Sequence, residues 1–116
     1  MKVRPYTGAQ VLYELGSGDA EEINRRRRDA DVYRRMNPVN HTATGAGQPG
    51  RTGHIAHSGN GASAGDVYPA MVVRDWDEPA GTVNLQVFLD GNDTLWATSR
   101  VPGDGPGTWR WPRSTG

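Results

Sequence analysis

The sequence predicts a mainly β fold, a small antiparallel β-barrel of four to five strands with one N-terminal helix and a long glycine-rich loop. Three observations predict it. Residues 66–112 contain three stretches in which apolar side chains recur at every second position, the period of a strand with one buried face. Sixteen glycines and eight prolines among 116 residues disfavour a helical bundle and favour short strands joined by turns. Val, Leu, Ile and Phe together number only 18, so the core is small, and four or five strands are too few for a two-sheet sandwich. One domain, 1–116, accounts for the length.

The first strand region is 1–18. Val11, Tyr13 and Leu15 alternate with Leu12 and Glu14, and Gly16, Ser17 and Gly18 break the strand. Asp19 then reads as an N-cap, with Glu22 at capping-box spacing, and opens a helix within 19–36. Glu21–Arg25 and Glu22–Arg26 are i,i+4 pairs in the favourable order. Ile23, Ala30, Tyr33 and Met36 form a narrow apolar stripe by which the helix would dock, and Asn37-Pro38 ends it. Residues 37–65 hold seven glycines and only two large aliphatics, Val39 and Ile55. They read as a long loop or arm, with a short strand at Gly53–His57.

Residues 66–112 are the expected barrel core. Val67, Pro69, Met71 and Val73 share one face of a strand, and Val83, Leu85, Val87 and Leu89 one face of the next. Leu95, Ala97, Ser99 and Val101 give a third, weaker alternation, and Asp90-Gly91 is a strong turn signal before it.

Composition excludes several classes of function. Without cysteine there is no disulfide framework, no thiol nucleophile and no common structural zinc site. No apolar run is long enough for a membrane span, and no apolar signal-peptide stretch follows Lys2 and Arg4. Thirteen basic and thirteen acidic residues give a formal charge of zero, which argues against bulk nucleic-acid binding. Gly59 to Ala64 matches a dinucleotide fingerprint formally, but a strand follows where that motif needs a helix. Its turn could still cradle an anion through backbone N–H groups of Asn60 and Gly61. His54 and His57 are three apart on a glycine-rich segment, so no metal site is expected. Nor does any Ser-His-Asp set or carboxylate pair stand out, so no enzyme and no cofactor are expected.

Arg25 to Arg28 reads as a solvated helix face, with one or two arginines free to meet a phosphate or an acidic partner. The tryptophans of Trp109-Arg110-Trp111-Pro112 either close the bottom of the core or form an aromatic platform for a planar ligand, with Trp96, Arg110 and Arg113 nearby. On the platform reading, Trp109→Ala would remove ligand binding and leave the barrel folded.

Three stretches carry a resemblance to a known family. They are Gly65-Asp-Val-Tyr-Pro-Ala-Met-Val-Val-Arg-Asp-Trp76, Val83-Asn-Leu-Gln-Val-Phe-Leu-Asp-Gly-Asn-Asp93 with Leu95-Trp-Ala-Thr-Ser99, and Pro106-Gly-Thr-Trp-Arg-Trp-Pro112. Together they resemble a largely uncharacterised family of small proteins of tailed phages and prophages that ends in Gly-Thr-Trp-His-Trp-Pro. Arg110 stands where that family often has His. The resemblance implies phage origin and brings no activity. The expectation is therefore a non-enzymatic binding protein acting in the host cytoplasm, an anti-defence protein that sequesters a nucleotide-type immune signal. Its ligand-binding residues would be Trp96, Trp109, Arg110, Trp111, Arg113, Asn60 and Gly61, in a homo-oligomer. The alternative is a virion component, such as a capsid decoration protein, with phage capsid subunits as partners.

Overall fold

The computed structural model describes residues 3–36 and 57–113. Most of the glycine-rich loop, with His54 and all but the last residue of the expected strand at Gly53–His57, lies outside them. In chain order the elements are β1 (Gln10–Glu14), α1 (Ser17–Met36), β2 (Val67–Asp75), β3 (Val83–Phe88), β4 (Thr94–Arg100) and β5 (Trp109–Arg110). They form one five-stranded antiparallel sheet in the order β4-β3-β2-β1-β5, with one helix among the described residues.

The sheet is not closed into a barrel. Its outermost strands are β4 and β5, and past β4 only an isolated parallel bridge joins Pro102 to Trp109. Two hydrogen bonds support that bridge, Trp109 N–H to Val101 O at 3.2 Å and Gly103 N–H to Trp109 O at 2.9 Å. Proline explains why the contact goes no further: Pro102, Pro106 and Pro112 remove backbone donors around a strand only two residues long.

One face of the sheet carries the core. Val11, Tyr13 and Leu15 are fully buried, as the alternation in the first strand region predicts, and so are Val83, Leu85 and Val87. The face of β2 is the reverse of the expected one. Ala70 and Val72 point into the core, whereas Met71 and Val73 are 40% and 41% exposed. Both faces of this strand are apolar, so its pattern alone cannot choose between them. Pairing decides: Ala70 sits between Val11 of β1 and Val87 of β3, in an interior already filled by Tyr13, Ile23 and Trp109. The small side chain faces the crowded side.

The alternation in β4 holds through Leu95 and Ala97 and then fails. Ser99 has φ 56° and Val101 is exposed. The ladder slips on both sides of Asn84, between Val72 and Arg74 on β2 and between Val83 and Leu85 against β4. Asn84 is the buried polar residue of the described core, and its Oδ1 accepts from Ser99 N–H at 2.8 Å and Trp76 Nε1 at 3.0 Å. One side chain thus satisfies both a backbone donor left by the irregular pairing with β4 and an indole N–H.

The helix begins earlier than predicted, and Asp19 is not its N-cap. Gly16 takes that position, its carbonyl accepting the first helical bond from Ala20 N–H at 3.1 Å. From the third helical position the Asp19 carboxylate reaches back to Gly16 N–H at 2.9 Å, the second half of a capping box. The same oxygen accepts from the Tyr13 hydroxyl at 2.6 Å. Burial and this bond hold the Tyr13 phenol well above the usual tyrosine range. Of the expected apolar stripe, Ile23 and Ala30 are buried, but Met36 is 75% exposed.

Candidate functional site

The sheet has two differently built ends. At the end formed by the β2–β3 turn and the start of β1 lies a cleft of about 390 Å³. The N-terminal strap Val3–Pro5, the turn Pro79–Gly81, the segment Pro102–Asp104 and residues Trp109–Trp111 line it. Trp109 forms the floor. It is 1% exposed, and its Nε1 donates to Gly81 O at 3.1 Å. Gly81 has φ 80°, and a Cβ there would come within 3.2 Å of the Pro102 ring, so both backbone and packing call for glycine. Trp111 meets Trp109 edge to face at 5.6 Å and stands 6.0 Å from Tyr6. Its Nε1 donates to Val3 O at 3.1 Å and pins the strap.

Two guanidinium groups border the cleft, and both have acidic partners. Arg110 pairs with Glu14 at 3.1 Å. Arg4 pairs with Asp77 at 3.3 Å and donates to Glu78 O at 2.7 Å. Asp77 is almost wholly in water and Arg4 half-exposed, so this pair contributes little and is readily exchanged.

At the opposite end, the β3–β4 turn is closed by charge. The Asp93 side chain is 2% exposed, and Arg27 holds both of its oxygens at 3.0 Å. Arg26 adds a third contact at 3.0 Å. Burial alone would push the Asp93 carboxyl up, but the hydrogen bonds from Arg27 and Arg26 outweigh it and leave the group below the usual carboxylate range. Arg27 also donates to the carbonyls of His57 and Asn60, and Arg26 to that of Thr94. Arg26 and Arg27 are therefore not a solvated face, and their acidic partner is internal. Glu22 pairs with Arg25 at 2.6 Å and Arg26 at 3.1 Å, which keeps its carboxyl low.

The structure brings Trp109, Arg110 and Trp111 together at the cleft. Trp96 is not there: it lies on the outer face of β4 opposite Gln86, 63% exposed. Arg113 is exposed beyond β5. Asn60 and Gly61 belong to the charged end. Asn60 N–H donates to Asp90 O at 2.8 Å and its amide to Asp90 Oδ2 at 2.7 Å. The Asn24 side chain clasps the backbone of Ala62, donating and accepting at 2.8 Å. Ser63 N–H is taken by Asp66. The N–H groups of Asn60, Ala62 and Ser63 in this turn are thus engaged inside the protein. Close approach explains its glycines, since a Cβ on Gly59 or Gly91 would overlap the other strand's backbone.

Sequence reasoning missed Arg4, the prolines of the cleft and Asp93. The first two come together only through the fold. Asp93 is different, because a carboxylate after an Asp-Gly turn and a four-arginine run are both visible in the sequence, but nothing local says that they meet. No family model, curated protein or solved structure matches the chain.

Proposed function

We propose that this is a non-enzymatic, phage-encoded binding protein whose ligand seat is the cleft beside Trp111, and that it sequesters a nucleotide-type immune signal in the host cytoplasm. The observation that carries the reading is an apolar cleft of about 390 Å³, walled by indole and proline rings, with two guanidiniums at its border. That volume lies in the range of small-molecule sites, which are mostly apolar with a few convergent polar groups. A base would lie against the Trp111 indole and the proline rings, and a phosphate would draw Arg4 away from exposed Asp77. Guanidinium groups are permanently protonated and serve poorly as general bases, which fits binding without turnover. This reading treats the Pro102–Trp109 bridge as an incipient barrel closure with the cleft at its seam.

Native mass spectrometry against a panel of linear and cyclic nucleotides tests the proposal. Retention of one nucleotide at fixed stoichiometry, lost in both Trp111→Ala and Arg4→Ala, is the expected result. A bare protein across the whole panel would sink it. The virion reading has its own support in the apolar outer face of the sheet, and finding this chain in purified phage particles would favour it.

A further inference from the structure

We infer that the outer face of the sheet is a self-association surface whose occupant is a second copy of this chain. The helix does not cover this face, since Ile23 packs into the core on the other side, as does Ala62. Met71, Gln86 and Trp96 are register partners across β2, β3 and β4, with Phe88 two residues along from Gln86. Trp96 is 63%, Phe88 44%, Val73 41% and Met71 40% exposed. The polar member of the row is partly occupied, because Gln86 Oε1 accepts from Thr94 Oγ1 at 2.9 Å.

Aromatic side chains carry ~150–250 Å² each, so these exposed fractions add up to roughly 400 Å² of apolar surface. That is the size of the largest apolar patch on a typical monomer, which is often functional. The area is about half of the ~800 Å² per partner in a standard interface, leaving the remainder to a polar rim.

Three features favour a second copy. With a formal charge of zero, two chains approach without net repulsion. The chain's own glycine-rich segment holds only two large aliphatics and lacks the apolar side chains to cover such a face. The face also places a cation and carboxylates at opposite strand ends, although Asp75 and Asp77 follow Arg74 at its own end. Arg74 stacks at 4.2 Å on Trp76 at one end of the strands, whereas Asp66 and exposed Asp90 lie at the other. A two-fold axis in the plane of the face and across the strands reverses strand direction in the partner. It sets each Arg74 over the acidic end of the other copy, an isologous sheet-on-sheet packing.

Sedimentation velocity of the full chain across a micromolar concentration series tests this. Wild type is expected to dimerise, with Trp96→Asp and Met71→Asp each raising the dimer dissociation constant about thirtyfold at an unchanged far-UV circular dichroism spectrum. Arg74→Glu should weaken the dimer less and reduce its sensitivity to salt. If an aspartate variant loses the native spectrum, Phe88→Gln carries the test. A wild type that stays monomeric, or dimers unaffected by the face variants that fold, would overturn the inference. A wild type that binds another protein through Trp96 while remaining monomeric would overturn it too. Nucleotide retention by the dissociated variants separates this outcome from that of the cleft.

Discussion

The two ends of the sheet are closed by opposite chemistry. At the β3–β4 turn, a buried carboxylate gathers two arginines from the helix, and its surroundings are filled by backbone carbonyls that accept from the same guanidiniums. At the β2–β3 turn, indole and proline rings surround open space, and of the pairs at the border Arg4–Asp77 stands where water can replace it. In the first arrangement the guanidiniums and the carboxylate satisfy one another. The second has apolar surface and an exchangeable cation. A cluster of arginines is thus a poor guide to a binding site unless the partners of each guanidinium are counted.

The largest effects should come from breaking the buried part of either end. Trp109→Ala removes the cleft floor and a core side chain together, with an expected loss of about 3–5 kcal/mol in urea denaturation. The structure thereby corrects the expectation that this variant leaves the fold intact. A Trp109→Ala protein of wild-type stability would put the indole outside the core.

Asp93→Ala should cost about 3 kcal/mol, because it leaves Arg26 and Arg27 facing each other with no counter-charge. The pH dependence sharpens the comparison. The folded carboxyl lies below its ordinary value of about 3.9, so its contribution is present above that value and is lost as pH falls through the folded one. The stability gap between wild type and Asp93→Ala should therefore be constant near neutrality and narrow in acid below about pH 4. A gap that persists unchanged at the lowest pH would show that packing around the turn, rather than the charge, sets its size.

Trp111→Ala should have the smallest effect on stability, about 1 kcal/mol or less, because its indole is only partly buried and its hydrogen bond is exposed. It should still abolish ligand retention in native mass spectrometry. Loss of stability as large as that of Trp109→Ala would make the whole Trp109–Trp111 pair structural.

Where one face of an element is apolar and the other polar, the sequence was sufficient. The inward set Val83, Leu85 and Val87 follows from alternation with Asn84 and Gln86, and β1 follows in the same way. On β2 that contrast disappears, because Tyr68, Ala70 and Val72 are as apolar as Val67, Met71 and Val73. Its orientation depends on the volume left by other strands. Asp19 misled for a related reason: a carboxylate can cap from the N-cap or from three residues inside, and Tyr13 selects the second by bonding the same oxygen. Of the candidate site, the Trp109–Trp111 motif was legible as an unusual local sequence. The strap with Arg4 and the turn Pro79–Gly81 were not, since they join it across 108 and 28 positions of chain.

The clamp on Asp93 also constrains the order of assembly. Arg27 and its carboxylate are separated by 66 positions, and the helix that carries Arg27 is synthesised first. Apart from Ile23 and two alanines, this helix buries little, so its own packing holds it weakly. Asp19 and Ile23 tie its first turns to β1 and the core, but Arg26 and Arg27 reach Asp93 only when the β3–β4 turn has formed, after a long loop has closed. The helix is thus made before β2–β5, and Arg26 and Arg27 gain their carboxylate only once the β3–β4 turn is in place.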